Sequence, residues 1–188
     1  MLHKYPIITL IATLIAPAIA TATVVPRLDL QQMVQSSESI VHARVVRHWS
    51  AWDSSHRFIW THYEMEVQDR LKGGPAATVI SEPGGTADGM GMKVEGVPEH
   101  RDGEEMVVFL HRTPVGYWRC YGLAQGKFTV DQIRSGPKRV RANLAAVERV
   151  EPAPGRGPRT RNSTQLDHLN GITLADLKAR IRREAALQ

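Results

Sequence analysis

His48, His56 and His62 lie close together in the chain, flanking a stretch of turn formers from Ser50 to His56. If the flanking stretches pair as a hairpin with residue numbers summing to 110, His48 stands opposite His62 and His56 sits at the turn. Cross-strand neighbours have Cβ atoms about 4.5–5.5 Å apart, close enough for two imidazoles to share Zn²⁺ or Cu²⁺. A weak metal site at these three histidines is therefore the first candidate, with Asp53 nearby; the alternative is three exposed surface histidines. Trp49, Trp52 and Trp60 cluster in the same stretch, and aromatic side chains that remain exposed favour carbohydrate or protein contact. Trp52 and Trp60 are the binding candidates here, joined by Gly84, Gly85 and Met90 of a glycine-rich segment, Gly84 to Gly96.

Other chemistry is excluded by spacing. Glu104 and Glu105 are paired carboxylates, but neighbouring strand residues point to opposite faces and cannot flank one glycosidic bond. The glycines at 84, 85, 89 and 91 precede no helix and no P-loop lysine follows, so a phosphate cradle does not fit. No Ser/His/Asp nucleophile signature is present. Cys120, the single cysteine, cannot form an internal disulfide; its setting in Trp118-Arg119-Cys120-Tyr121 reads as a small buried hydrophobe within a strand.

The elements that must position these residues are mainly strands. Leu28 to Glu38 reads as a short amphipathic helix capped by Asp29. From Ile40 to Trp49 the period becomes two, with Val41, Ala43, Val45 and Trp49 on one face. Phe58 to Leu71 alternates likewise: Ile59, Tyr63, Met65, Val67 and Leu71 inward, Trp60, His62, Glu64 and Glu66 outward. The 110 register pairs Val45 with Met65 and Trp49 with Thr61, so that both apolar faces coincide. Thr78 to Glu82, Met106 to Leu110, Tyr117 to Gly122 and Lys127 to Val130 complete about six strands, and the Met106 run is apolar on both faces, as a central strand requires. A further strand at Arg139 to Arg141, or a short helix near Leu144, fits the basic stretch that follows. Thr173 to Ala186 is a helix with Thr173 as cap and Leu174, Leu177 and Ile181 as its apolar stripe. The expected fold is a small antiparallel β-barrel over 28–132, then a basic Pro/Gly-rich linker over 133–170 and a C-terminal helix over 171–188.

The ends of the chain bear on location. Residues 1–20 have a basic start (Lys4), an apolar run from Ile7 to Ile15 and a small-x-small stretch, Ala18-Ile19-Ala20, which together read as a secretory signal peptide. Cleavage there leaves Thr21 or Thr23 first and no transmembrane span, which places the protein in the periplasm or the medium. The overall +5 charge is unevenly distributed: residues 21–132 hold 11 basic against 14 acidic residues, residues 133–188 hold 12 against 5. A basic tail of this kind suits contact with an anionic surface, and export argues against nucleic acid as the partner.

Ser36-Ser37-Glu38-Ser39-Ile40-Val41, Leu71-Lys72-Gly73, Pro83-Gly84-Gly85, Gly96-Val97-Pro98, Gly103-Glu104-Glu105 and Gly122-Leu123-Ala124-Gln125-Gly126-Lys127-Phe128 together resemble a family of uncharacterised exported bacterial proteins. That resemblance implies no activity. More distantly, the order of helix, Ile40-Val41-x-Ala43-x-Val45, long strand, Leu71-Lys72-Gly73 and Gly103-Glu104-Glu105 is similar to netrin-like modules, the group that includes tissue inhibitors of metalloproteases. It implies an OB-type barrel with flanking helices. The inhibitory members use an N-terminal cysteine, which this chain lacks at Thr21 and Thr23. The expectation is an exported, non-enzymatic binding or interaction module without a cofactor, its partner an exported or envelope protein. A hydrolase with an unrecognised site and an envelope-associated structural protein held by its basic tail are the alternatives.

Overall fold

The computed structural model describes residues 28–74, 77–132, 135–142 and 166–187, so the expected signal peptide at 1–20 and the Pro/Gly/Arg-rich 151–164 stretch lie outside the described residues. Asp29 starts α1 (Leu30–Ser36) by a reciprocal cap: its carboxylate accepts the Gln32 backbone N–H, and the Gln32 side chain accepts the Asp29 N–H. A helix this short has little stability of its own. It is held by Met33 and Val34, which are fully buried.

The alternating segments form a long antiparallel hairpin, β1 (Ser39–Trp52) and β2 (Ile59–Lys72). Asp53 closes its turn by accepting the backbone N–H groups of Arg57 and Phe58. Val45 pairs with Met65 as the burial pattern demands. The register then slips: Arg47 pairs with Glu64, His48 with Tyr63 and Trp49 with His62. One extra residue, Val46, is bulged out, and a bulge inverts the facing of every residue beyond it. Trp49 therefore shares the outer face with His62, contrary to its expected inward position, and His48 turns to the inner face with Tyr63. The expected His48–His62 and Trp49–Thr61 pairings do not form.

The remaining strands are β3 (Val79–Pro83), β4 (Gly85–Ala87), β5 (Met90–Met92), β6 (Glu105–Arg112), β7 (Trp118–Cys120), β8 (Lys127–Asp131) and β9 (Arg139–Ala142). The main sheet runs β3-β2-β1-β6-β8-β9, with β7 also along β6, and every pairing in it is antiparallel. The glycine-rich segment folds partly into a separate hairpin, β4–β5. β6 is central and buried on both faces, as its composition predicts. Val107 and Phe109 point into a core shared with Met33, Phe128, Leu177 and Ile181. Met106, Val108 and Leu110 point into a second core with Val41, Val45, Tyr63 and Ile80.

α2 (Leu174–Ala185) covers the first of these cores. Its cap is the expected one, Thr173 Oγ1 accepting the Asp176 N–H at 3.1 Å. Asp69 of β2 pairs with Lys178 at 2.9 Å and Arg182 at 2.8 Å, which tethers the helix to the hairpin. The basic 133–170 stretch is part of the fold in two places: β9 pairs with β8, and Leu166 and Leu169 are buried beneath α2. No helix among the described residues is long and apolar enough to cross a membrane.

The class is thus mainly β, antiparallel, with two helices. The sheet curls until β3 approaches β7, but among the described residues no ladder joins them. A side chain spans the gap instead: the Glu82 carboxylate accepts the Cys120 backbone N–H at 2.6 Å and the Arg119 Nε–H at 3.3 Å.

Candidate functional site

Beyond the Val46 bulge the inner face of the hairpin passes out of the core, in which Tyr63 is still packed, toward His48 and Ser50. His48, Ser50, Thr61 and Tyr63 there form one wall of a cleft of about 490 Å³, and Met92, Val94, Val97 and Pro98 line it from the other side. The volume lies in the range of small-molecule sites. Glu82 and His100 lie at its buried end.

A tight crossing sets the width of the cleft. Ser50 Oγ and Thr61 Oγ1 are 2.9 Å apart, and Thr61 Oγ1 donates to the Gly84 carbonyl at 2.7 Å. Gly85 follows at φ +123°, and a Cβ there would stand 2.2 Å from Thr61 Oγ1. Only glycine lets β4 lie this close across the hairpin. At the rim, His48 Nδ1 is 2.7 Å from Asp102 Oδ1, which ties the 101–103 turn to β1.

The buried end holds three chemically distinct groups. Glu82, His100 and Cys120 are 1%, 4% and 1% exposed. Each offers one donor atom within 4.8 Å of the other two, and Cys120 Sγ is 3.9 Å from His100 Nε2. The Tyr63 and His100 rings meet in a T-shaped arrangement, centroids 4.6 Å apart. Burial pushes the Glu82 carboxyl up to about 7 despite the opposing pull of Arg119 and the Cys120 N–H. Burial also holds His100 well below the usual imidazole range and raises the Cys120 thiol well above its own, with Glu82 adding to the latter. A nucleophilic cysteine needs the reverse, a thiolate beside an imidazolium. This setting disfavours a thiolate nucleophile, and the thiol is buried as its sequence context predicts.

The residues singled out by the sequence fall elsewhere. His48 stacks on Tyr63, His56 on Trp52, and His62 lies beside Trp49 and Tyr117 with its Nδ1 2.8 Å from Ser81 Oγ. The bulge puts His48 and His62 on opposite faces, so the three histidines do not converge on one ion. Trp60 packs against Tyr117 with Arg119 over its ring, on the outer face. Gly84 and Gly85 do line the cleft, whereas Met90, 56% exposed, does not. Glu104 and Glu105 diverge as expected: the first binds Lys127 and Thr129, the second His42, Arg44 and Lys138. The Glu82–His100–Cys120 grouping has no counterpart in the sequence reading, because its members come from β3, a loop and β7, which no motif spacing links. A scan against protein-family models matches none, and a search of curated proteins finds no match to this chain.

Proposed function

We propose that the chain is an exported, non-enzymatic binding module that takes a small polar ligand into the cleft between the β1–β2 hairpin and residues 92–100. The observation that carries this reading is the cleft itself, with an aromatic and hydroxyl-bearing wall, an apolar wall and ionisable groups at its buried end. Concave sites of this volume are the usual form of ligand sites, and the polar share of this lining suits a polar ligand. The scaffold is read as an incompletely closed barrel of OB or netrin-like type, supported by the approach of β3 to β7 with Glu82 spanning the gap. Export rests on residues 1–20, and N-terminal sequencing of chain recovered outside the cytoplasm should begin at Thr21 or Thr23. Binding is favoured over hydrolysis by the setting of the side chains: burial disfavours a free Cys120 thiolate, and Glu104 and Glu105 are each engaged by lysine on separate faces.

The test is nuclear magnetic resonance of isotope-labelled, chelator-treated protein titrated with a panel of monosaccharides, amino acids and dicarboxylates. Shifts confined to residues 48–50, 61–63, 82–86 and 92–100 are the expected result. Shifts mapping to other faces, or none with any member, overturn it.

A further inference from the structure

We propose that Glu82, His100 and Cys120 form a buried transition-metal site suited to Zn²⁺. The site goes beyond the binding reading and stands independently of whatever ligand the cleft takes. The donor set is the first argument. Thiolate, imidazole and carboxylate together select a borderline-soft ion with tetrahedral preference over Mg²⁺ or Ca²⁺.

Geometry is the second argument. With Zn–S about 2.3 Å and Zn–N about 2.0 Å, tetrahedral ligands S and N stand about 3.5 Å apart. Cys120 Sγ and His100 Nε2 are already 3.9 Å apart, and all three donor atoms lie within 4.8 Å of one another. Side-chain movements of a few tenths of an ångström up to about one would close them on a single ion.

His100 supplies the third, independent argument. It is 4% exposed, and Nε2, the nitrogen that faces Cys120, has only that thiol beside it, at a long 3.9 Å. Buried polar groups are nearly always satisfied, so an imidazole left this way points to a ligand. Charge is consistent. Thiolate and carboxylate together neutralise a divalent ion, which a buried site requires. Of the two nearby cations, Lys127 is engaged by the Glu99 carbonyl at 2.6 Å and by Glu104, whereas Arg119, 3.3 Å from Glu82, would share that carboxylate with the ion. Glu82 and His100 line the cleft, so the ion has a route in and a water can take the fourth position.

Because Cys120 is the only cysteine in the chain, cobalt reports it unambiguously. Chelator-stripped full-length protein titrated with Co²⁺ should develop a thiolate-to-cobalt charge-transfer band that saturates at one equivalent and disappears on adding Zn²⁺. The band should be absent in Cys120→Ser. Glu82→Gln and His100→Gln should weaken Zn²⁺ binding by about tenfold or more in chelator competition. If Cys120→Ser does not fold, the wild-type band decides alone. No charge-transfer band at saturating Co²⁺ overturns the proposal. So does a Zn²⁺ stoichiometry that survives Cys120→Ser but is lost in His48→Ala or His62→Ala. The ligand titration above is run with metal removed, so either reading can fail without the other.

Discussion

Replacing Glu82 by glutamine in metal-free protein separates burial from ion pairing. The folded chain holds the Glu82 proton up to about 7, against an ordinary value of 4.5, with burial the dominant cause. The unfolded chain releases it near the ordinary value. Between the two, the folded state binds more protons, so stability is greatest below the unfolded value and is lost as pH rises through about 7. At about 1.4 kcal/mol per pH unit, the full loss is about 3 kcal/mol, most of it between about pH 5 and pH 8.

The raw slope will not show this. His42, His62, His100 and His111 are all lowered, chiefly by burial, and act with the opposite sign. Below their ordinary range the unfolded chain takes up protons that the folded one refuses, so their contribution rises with pH. Subtracting the variant cancels them. Glutamine keeps an acceptor for the Cys120 N–H at similar volume. The assay is urea unfolding of both proteins with chelator at several values across that window. Wild-type stability minus that of Glu82→Gln should fall by about 2–3 kcal/mol from about pH 5 to pH 8. A flat difference would refute the reasoning: it would mean that Arg119, 3.3 Å away, keeps the carboxylate ionised throughout and that burial does not win.

Gly85→Ala should cost about 2–4 kcal/mol in chemical denaturation, since its Cβ meets Thr61 Oγ1 at 2.2 Å and Ser50 Oγ at 2.5 Å with φ at +123°. Gly89→Ala, at φ +76° but with nothing within 4 Å, should cost only about 1 kcal/mol; equal losses would mean the β4 crossing is not tight. Leu177→Ala, in a fully buried position of α2, should cost about 2–5 kcal/mol, and a loss below that range in thermal unfolding would mean that the helix does not dock as described. Asp69→Asn removes the partner of Lys178 and Arg182, all three partly exposed; the expected loss is under about 1 kcal/mol, smaller still in high salt, and a larger loss in a salt series would contradict a solvated tether.

What the sequence by itself determined is local. Asp29 and Thr173 cap their helices because a short acceptor side chain reaches N–H groups two or three residues on. The alternation from Ile59 to Leu71 and the two-sided run from Met106 to Leu110 place one strand half-buried and the other at the centre, because burial imposes its period on composition. Val45 meets Met65 for the same reason. The tertiary structure alone decided what lies beyond Val46. A bulge is chosen by the curvature the sheet needs and by the close crossing of Gly84 and Gly85, neither of which leaves a periodic trace in β1. That single extra residue moved Trp49 outward, turned His48 inward, separated the three histidines and opened the cleft wall. The meeting of Glu82, His100 and Cys120 likewise depends on the curl that brings β3 to β7, a long-range consequence of twist that spacing along the chain does not encode.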